Sequence, residues 1–238
     1  MHGLILAGGE GTRLRADGVA VPKPLAAVGH EPLVARLLRT LADLGCETLT
    51  CMVRADFVSV LRYLEGREFG PPLAVVECRT PSSLHTLVAG LAAIPEGPVF
   101  ATMVDTVMPA EDWRVVYRAA ARGLADGLDG VLAVTPFVDD ESPLYVHVDA
   151  RGRVTALGRA PFEPPLVTGG VYAFSPAARR EAADAQARGI ERMRGFLAWL
   201  CESGRPLGSV LVERIVDVDR ASDLRRANAW LASPEAGR

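Results

Sequence analysis

Three glycines, Gly8, Gly9 and Gly11, follow the short apolar run Leu4-Ile5-Leu6, with Arg13 just beyond them and Lys23 set between Pro22 and Pro24. Glycine lets a backbone turn tightly and aim its N–H groups at an anion without interference from Cβ. Arg13 and Lys23 add positive charge, and the whole reads as a phosphate cradle. Two other cradles are excluded. The dinucleotide fingerprint needs a third glycine where Leu14 stands and a helix opening at once, which residues 16–24, with a glycine and two prolines, forbid. The phosphate loop of ATPases needs Gly-Lys-Ser/Thr after its glycines, and none follows here.

A carboxylate supplies the second kind of chemistry. Residues Val99–Met103 read as a buried strand, and Asp105 stands just past its end. An aspartate so placed can hold Mg²⁺, a hard cation that takes carboxylate and phosphate oxygens together. Alternatively Asp105 caps the next helix, although Ala110, Glu111 and Asp112 are better placed to open it. Ser82 or Ser83 can cap a helix whose apolar face is Leu84, Leu87, Val88 and Leu91. His85 has no partner in the sequence and is given no role. Arg192 and Arg194 could reach an acceptor's phosphate, but a charged run on a helix is usually a solvated face, and that is the reading taken.

These residues need a frame that brings them together. Leu33, Val34, Leu37, Leu38, Leu41 and Leu44 recur at helical spacing, with Gly45 as the stop. Strands are expected over 48–53, 73–78, 99–103 and 131–136, helices over 57–64, 177–189 and 193–200, and a hairpin around Gly152. Strand alternating with helix means a parallel sheet covered on both faces. In such sheets ligands sit beyond the carboxyl ends of the strands, where the loops after Leu6, Cys78 and Met103 gather. Even turn spacing without a polar linker predicts one domain over residues 1–238. The net charge of −3, with signs mixed throughout, offers no basic stripe for nucleic acid and suits a small anionic ligand instead. Cys46, Cys51, Cys78 and Cys201 lie in apolar runs without zinc spacing and are expected as buried thiols in a reducing cytoplasm. No leader precedes the first strand and no apolar run is long enough to span a bilayer, so neither export nor membrane insertion is expected. The only biased tract is the tail, 233–238.

Leu6-Ala7-Gly8-Gly9-Glu10-Gly11-Thr12-Arg13-Leu14, followed by Pro22-Lys23-Pro24-Leu25, resembles the N-terminal signature of the sugar-phosphate nucleotidylyltransferases, the NDP-sugar pyrophosphorylases. The resemblance implies a three-layer, Rossmann-like nucleotidyltransferase α/β fold with a mainly parallel central sheet and a small β-hairpin excursion. It implies that the turn from Leu6 to Thr12 wraps a nucleoside triphosphate, that Arg13 and Lys23 neutralise its phosphates, and that the loop with Ser82 and Ser83 touches the base. Asp105 matches the family's Gly-Asp metal motif, with Val104 in place of the glycine. Ile215-Val216-Asp217-Val218-Asp219 matches its closing motif, so Asp217 takes the second Mg²⁺ position while Asp219, a further candidate ligand, replaces a glycine and Asp223 matches the final acid.

On the acceptor side, Thr168-Gly169-Gly170-Val171-Tyr172 resembles the strand whose preceding loop lies along the sugar, although the glycines could equally make a bulge. The family's Glu-Lys-Pro is replaced by Arg159-Ala160-Pro161, leaving Arg159 as the only charge there for a sugar phosphate. The expected reaction joins a nucleoside monophosphate to a sugar 1-phosphate with release of pyrophosphate. The alternatives are an acceptor such as phosphocholine, a phosphonate or a polyol phosphate, and a catalytically silent nucleotide-binding module.

Overall fold

In the computed structural model, which describes residues 1–138 and 142–233, the chain alternates strand and helix almost from its first residue. It opens with β1 (His2–Ala7), a one-turn helix α1 (Thr12–Ala16), a 3-10 turn over Lys23–Leu25, and the small ribbon β2 (Ala27–Val28) and β3 (Glu31–Pro32). Then come α2 (Leu33–Asp43), β4 (Leu49–Arg54), α3 (Val58–Leu64), β5 (Leu73–Cys78), α4 (Ser83–Ala92), β6 (Val99–Met103), β7 (Thr106–Val107) and α5 (Ala110–Ala125). The second half carries β8 (Gly130–Thr135), β9 (Tyr145–Val148), β10 (Val154–Gly158), β11 (Val167–Phe174), α6 (Pro176–Ala187), α7 (Met193–Glu202), β12 (Leu207–Leu211), β13 (Val216–Asp217) and α8 (Ala221–Leu231). Residues 234–238 of the biased tail lie outside the described residues.

One nine-stranded sheet organises these elements. Strands β5, β4, β1 and β6 form a parallel block, in which Leu6 pairs with Met103 and Ala7 with Val53. Strand β11 runs antiparallel between β6 and β8, and the β9–β10 hairpin joins at its start, where Val167 pairs with Tyr145. Every residue of β1 is buried, and alternate side chains serve different layers. Ile5 and Ala7 pack with α2, α3 and α5, whereas Leu4 and Leu6 pack with α4, α6 and α7. This period-2 division makes the strand read as a continuous apolar run, as a strand covered on both faces should. A third apolar cluster, with Leu14, Val28, Leu33, Val107, Val216 and Ala227, fastens α1 and α8 to the loop edge of the sheet.

The expected three-layer α/β fold, with its parallel block and hairpin excursion, is present. Three details differ. A helix does open straight after Gly11, but it stops at Asp17 before reaching the prolines, so the exclusion of any helix there is corrected to a single turn. The short strand β12, parallel to β8, was not expected, because its apolar face reads only against that neighbour. Ser82 and Ser83 make no side-chain cap on α4. Ser83 Oγ instead accepts from Met193 N at 3.0 Å, and Ser82 donates to the Glu191 carbonyl, tying the starts of α4 and α7 together. Among the described residues no helix is long and apolar enough to cross a membrane.

Candidate active site

The parallel register brings the carboxyl ends of β1, β5 and β6 to one edge, and the loops after Leu6, Cys78 and Met103 converge there as the sequence predicts. The glycine turn is tight for stated reasons. Gly11 has a φ of 62°, and a Cβ on it would stand 3.0 Å from Lys23 Cβ. A Cβ on Gly8 would stand 3.1 Å from Thr86 Oγ1, so α4 packs directly against the turn. Gly8, Gly9, Leu6, Ser82, Ser83 and Arg54 line a cavity between the turn and α4. Thr12 opens α1, and Ala7 is wholly buried at the end of β1.

The acids and cations meet where β7 and β13 pair. Asp217 stands opposite Thr106, and Val218 N donates to the Asp105 carbonyl at 3.0 Å. Lys23 Nζ donates to Asp105 Oδ2 and, at 2.5 Å, to Asp219 Oδ1. Arg13 pairs with the other oxygen of Asp219 at 2.9 Å. Burial by itself would lower the Lys23 pKa; Asp105 and then Asp219 outweigh it and hold the ammonium charged, above the usual lysine range. Asp219 is not the cap of α8: the N-cap is Arg220, and Asp223 in the first turn completes a capping box, its carboxylate accepting from Arg220 N at 2.7 Å and Asp219 N at 3.1 Å. Val104, in the place of the family's glycine, is buried in the core with α5 and leaves the cavity open.

Asp105, Asp217 and Asp219 line a second cavity together with Thr168, Gly170 and Tyr172. The two cavities share Ser83 and Met103 in their walls and so are neighbours. Burial foremost, and the charge of Asp217 next, push the Tyr172 hydroxyl above the usual phenol range. On the other side of the acids, Arg13, Asp217, Asp219 and Gly169 border a third hollow.

Gly169 and Gly170 serve packing as well as access. A Cβ on Gly169 would fall 2.1 Å from Ile215 Cδ1, and Gly170 has a φ of 72°. The register of β11 against β8 also shifts between Thr168 and Tyr172, so the bulge reading holds. Arg159 is exposed and is not among the residues lining either cavity, which corrects the sequence placement of the acceptor's cation. Arg192, which is exposed, and Arg194, which is half-buried, both reach solvent as the preferred sequence reading has it, and both also line the second cavity. Arg54, given no role from sequence, reaches the first. No local pattern marks any of these three, since only the packing of α7 and the end of β4 brings them in.

Among the described residues no three His, Cys, Asp or Glu side chains are gathered to hold a metal by themselves. Mg²⁺ commonly takes one or two carboxylates and completes its shell with water and phosphate oxygens. Asp217, on β13, and Asp105, in the turn just before β7, line one cavity and fit that requirement; Asp105 shares one carboxylate oxygen with Lys23, whereas both oxygens of Asp219 are paired, with Lys23 and with Arg13.

The geometry is that of an α/β domain whose glycine turn lies beside a cluster of acids and cations at the carboxyl edge of the parallel strands. The sequence profile of the MobA-like NTP transferase domain matches residues 3–203, and the chain belongs to that family. Named relatives are sugar-phosphate nucleotidylyltransferases, as the N-terminal signature implies. A UTP–glucose-1-phosphate uridylyltransferase of Haloferax volcanii is 28% identical over 90% of this chain and 88% of its own length. A glucose-1-phosphate thymidylyltransferase of Actinoplanes sp. is 28% identical over 73% of this chain, which spans 58% of that relative's length. Among solved structures, a Bacillus anthracis chain ascribed the activity of a glucose-1-phosphate thymidylyltransferase superposes with a TM-score of 0.81 over 97% of this chain and 94% of its own, at 19% identity. Asp217 and Asp219 lie beyond the matched residues, so their place in the site rests on geometry.

Proposed function

We propose that this chain is a Mg²⁺-dependent nucleotidylyltransferase that joins a nucleoside monophosphate, from a nucleoside triphosphate, to a sugar 1-phosphate or a similar small phosphate. The observation that carries this reading is the pair of neighbouring cavities, one lined by the glycine turn and the other by Asp105 and Asp217. The nucleotide lies on the turn, with the base toward Ser82, Ser83 and Arg54. The acceptor lies toward β11, with one of its phosphate oxygens facing the α-phosphorus. That oxygen attacks in line and pyrophosphate leaves. No general base is needed, because a phosphate monoester is already ionised near neutral pH, and catalysis reduces to positioning and charge neutralisation.

Lys23 supplies a point charge and Arg13 a planar fork for the leaving phosphates, and Asp219 holds both side chains in place beforehand. Mg²⁺ bound at Asp105 and Asp217 would add further positive charge to the triphosphate. The removal of Arg159 from the cavity favours keeping polyol phosphates and phosphocholine among the acceptors to be tried. Buried Cys46, Cys51 and Cys78 suit the reducing cytoplasm in which we place the protein. Asp105→Asn tests the assignment: turnover should fall by at least about 100-fold, the order expected when stabilisation of transition-state charge is removed, while metal-free nucleotide binding persists. Full Mg²⁺-dependent turnover in that variant would remove Asp105 from the mechanism.

A further inference from the structure

The second cavity is bordered by two cations that form no ion pair among the described residues. Arg192 immediately precedes α7 and Arg194 lies in its first turn, and both line the same cavity as Asp105 and Asp217. Lys23 and Arg13 are each ion-paired with Asp219. Among the described residues neither Arg192 nor Arg194 has an ion pair or a side-chain hydrogen bond.

The backbone that bears them is nevertheless fixed. Met193 N donates to Ser83 Oγ at 3.0 Å, and the Glu191 carbonyl accepts from Leu84 N at 3.1 Å, so the segment is clamped on both sides of Arg192 to the start of α4. Tyr172 reports the same neighbourhood: its hydroxyl is raised by burial and by Asp217 and Asp105, with Arg194 acting in the opposite sense. Positive charge on a fixed segment thus borders the same cavity as the carboxylates, and an anion bound there would meet it. A guanidinium fork matches the oxygens of a phosphate monoester in pairs, and such charge-assisted bonds are among the strongest available.

We propose that Arg192 and Arg194 bind the phosphate of the acceptor and hold it against the nucleotide, serving from the start of α7 as the phosphate site that the exposed Arg159 does not provide. This rests on the nucleotidylyltransferase reading. It goes beyond it in assigning the acceptor's anchor to a helix start and in predicting that recognition leans on the phosphate.

The test is steady-state kinetics with Mg²⁺ and each nucleoside triphosphate, using glucose 1-phosphate, mannose 1-phosphate, inositol 1-phosphate and phosphocholine as acceptor probes. Wild type is compared with the Arg192→Ala/Arg194→Ala double variant and with Arg194→Lys. Both side chains reach solvent, so the replacements leave the core untouched. The double variant should raise the acceptor KM at least about tenfold, as loss of charge-assisted hydrogen bonds requires, with the nucleotide KM changed by less than about twofold. Arg194→Lys, which keeps the charge but not the fork, should fall between the two. An unchanged acceptor KM at intact turnover would overturn this proposal and leave the proposed reaction standing. Parallel loss of nucleotide and acceptor affinity would mark a structural role and overturn it as well. Absence of turnover by wild type with every nucleotide and probe would overturn both.

Discussion

Lys23 stands in a run that is largely exposed, yet its own side chain is only 8% accessible, because Asp105 and Asp219 close over it from 82 and 196 residues away. The proline on either side holds the backbone so that the ammonium enters between those carboxylates. Removing one partner of a buried charge pair leaves the other uncompensated. Lys23→Met should therefore lower unfolding free energy by about 3 kcal/mol, read from urea denaturation, and weaken nucleotide binding. A stability equal to wild type would show that the three charges do not depend on one another. The cradle glycines, Arg13 and Lys23 were legible in the sequence because their role follows from residue type and close spacing. The double contact of Asp219 was not, since nothing local announces a partner that arrives from the far end of the chain. For a related reason the sequence could not decide between a solvated face and a cavity wall for Arg192 and Arg194: the choice depends on which element packs beside the helix start.

At the scale of elements, β11 joins the two halves of the sheet and carries the wall of the acceptor cavity. Its glycines let Ile215, just before β13, pass against it, and this contact sets where Asp217 comes to lie. Gly169→Ala should force Ile215 to move and cost about 2 kcal/mol, within the range for overpacking a tight contact. Combining it with Ile215→Ala should recover part of that cost, and the double-mutant cycle measures the coupling. Strict additivity would mean that the two residues do not meet. The helices and the parallel strands were legible because apolar residues recur at the helical period or run continuously through a doubly covered sheet. One-turn α1 and strand β12 were not. The first is shorter than any period can reveal, and the second contains Gly208 and Ser209, which take their meaning only from pairing with β8.

At the scale of the whole molecule, the core stores protons that the unfolded chain would release in alkali. Burial pushes the Cys51 thiol up to about 12 and Cys46 up to about 11, from an ordinary 9.0. Burial also pushes the Tyr117 hydroxyl up to about 12 from 10.0. Each group has a raised pKa in the folded state, so its contribution is complete below the unfolded value and is lost as pH rises toward the folded one. The melting temperature should therefore be insensitive to these groups below pH 9.0 and fall progressively from pH 9.0 toward 12. Cys51→Ala should flatten that fall, and an undiminished slope would exclude the thiol as a contributor.

The central claim joins the glycine turn, the paired acids and the arginines of α7 into one group-transfer site, and pyrophosphate release tests it most directly. The purified protein would be incubated with Mg²⁺ and each of the four ribonucleoside triphosphates and dTTP, against pooled sugar 1-phosphates and, separately, pooled polyol phosphates, phosphonates and phosphocholine. Parallel reactions would contain EDTA. The account predicts release that requires an acceptor, stops with EDTA and is confined to a few nucleotide and acceptor combinations. Confirmed nucleotide binding with no release in any combination would contradict it and leave a binding module in its place.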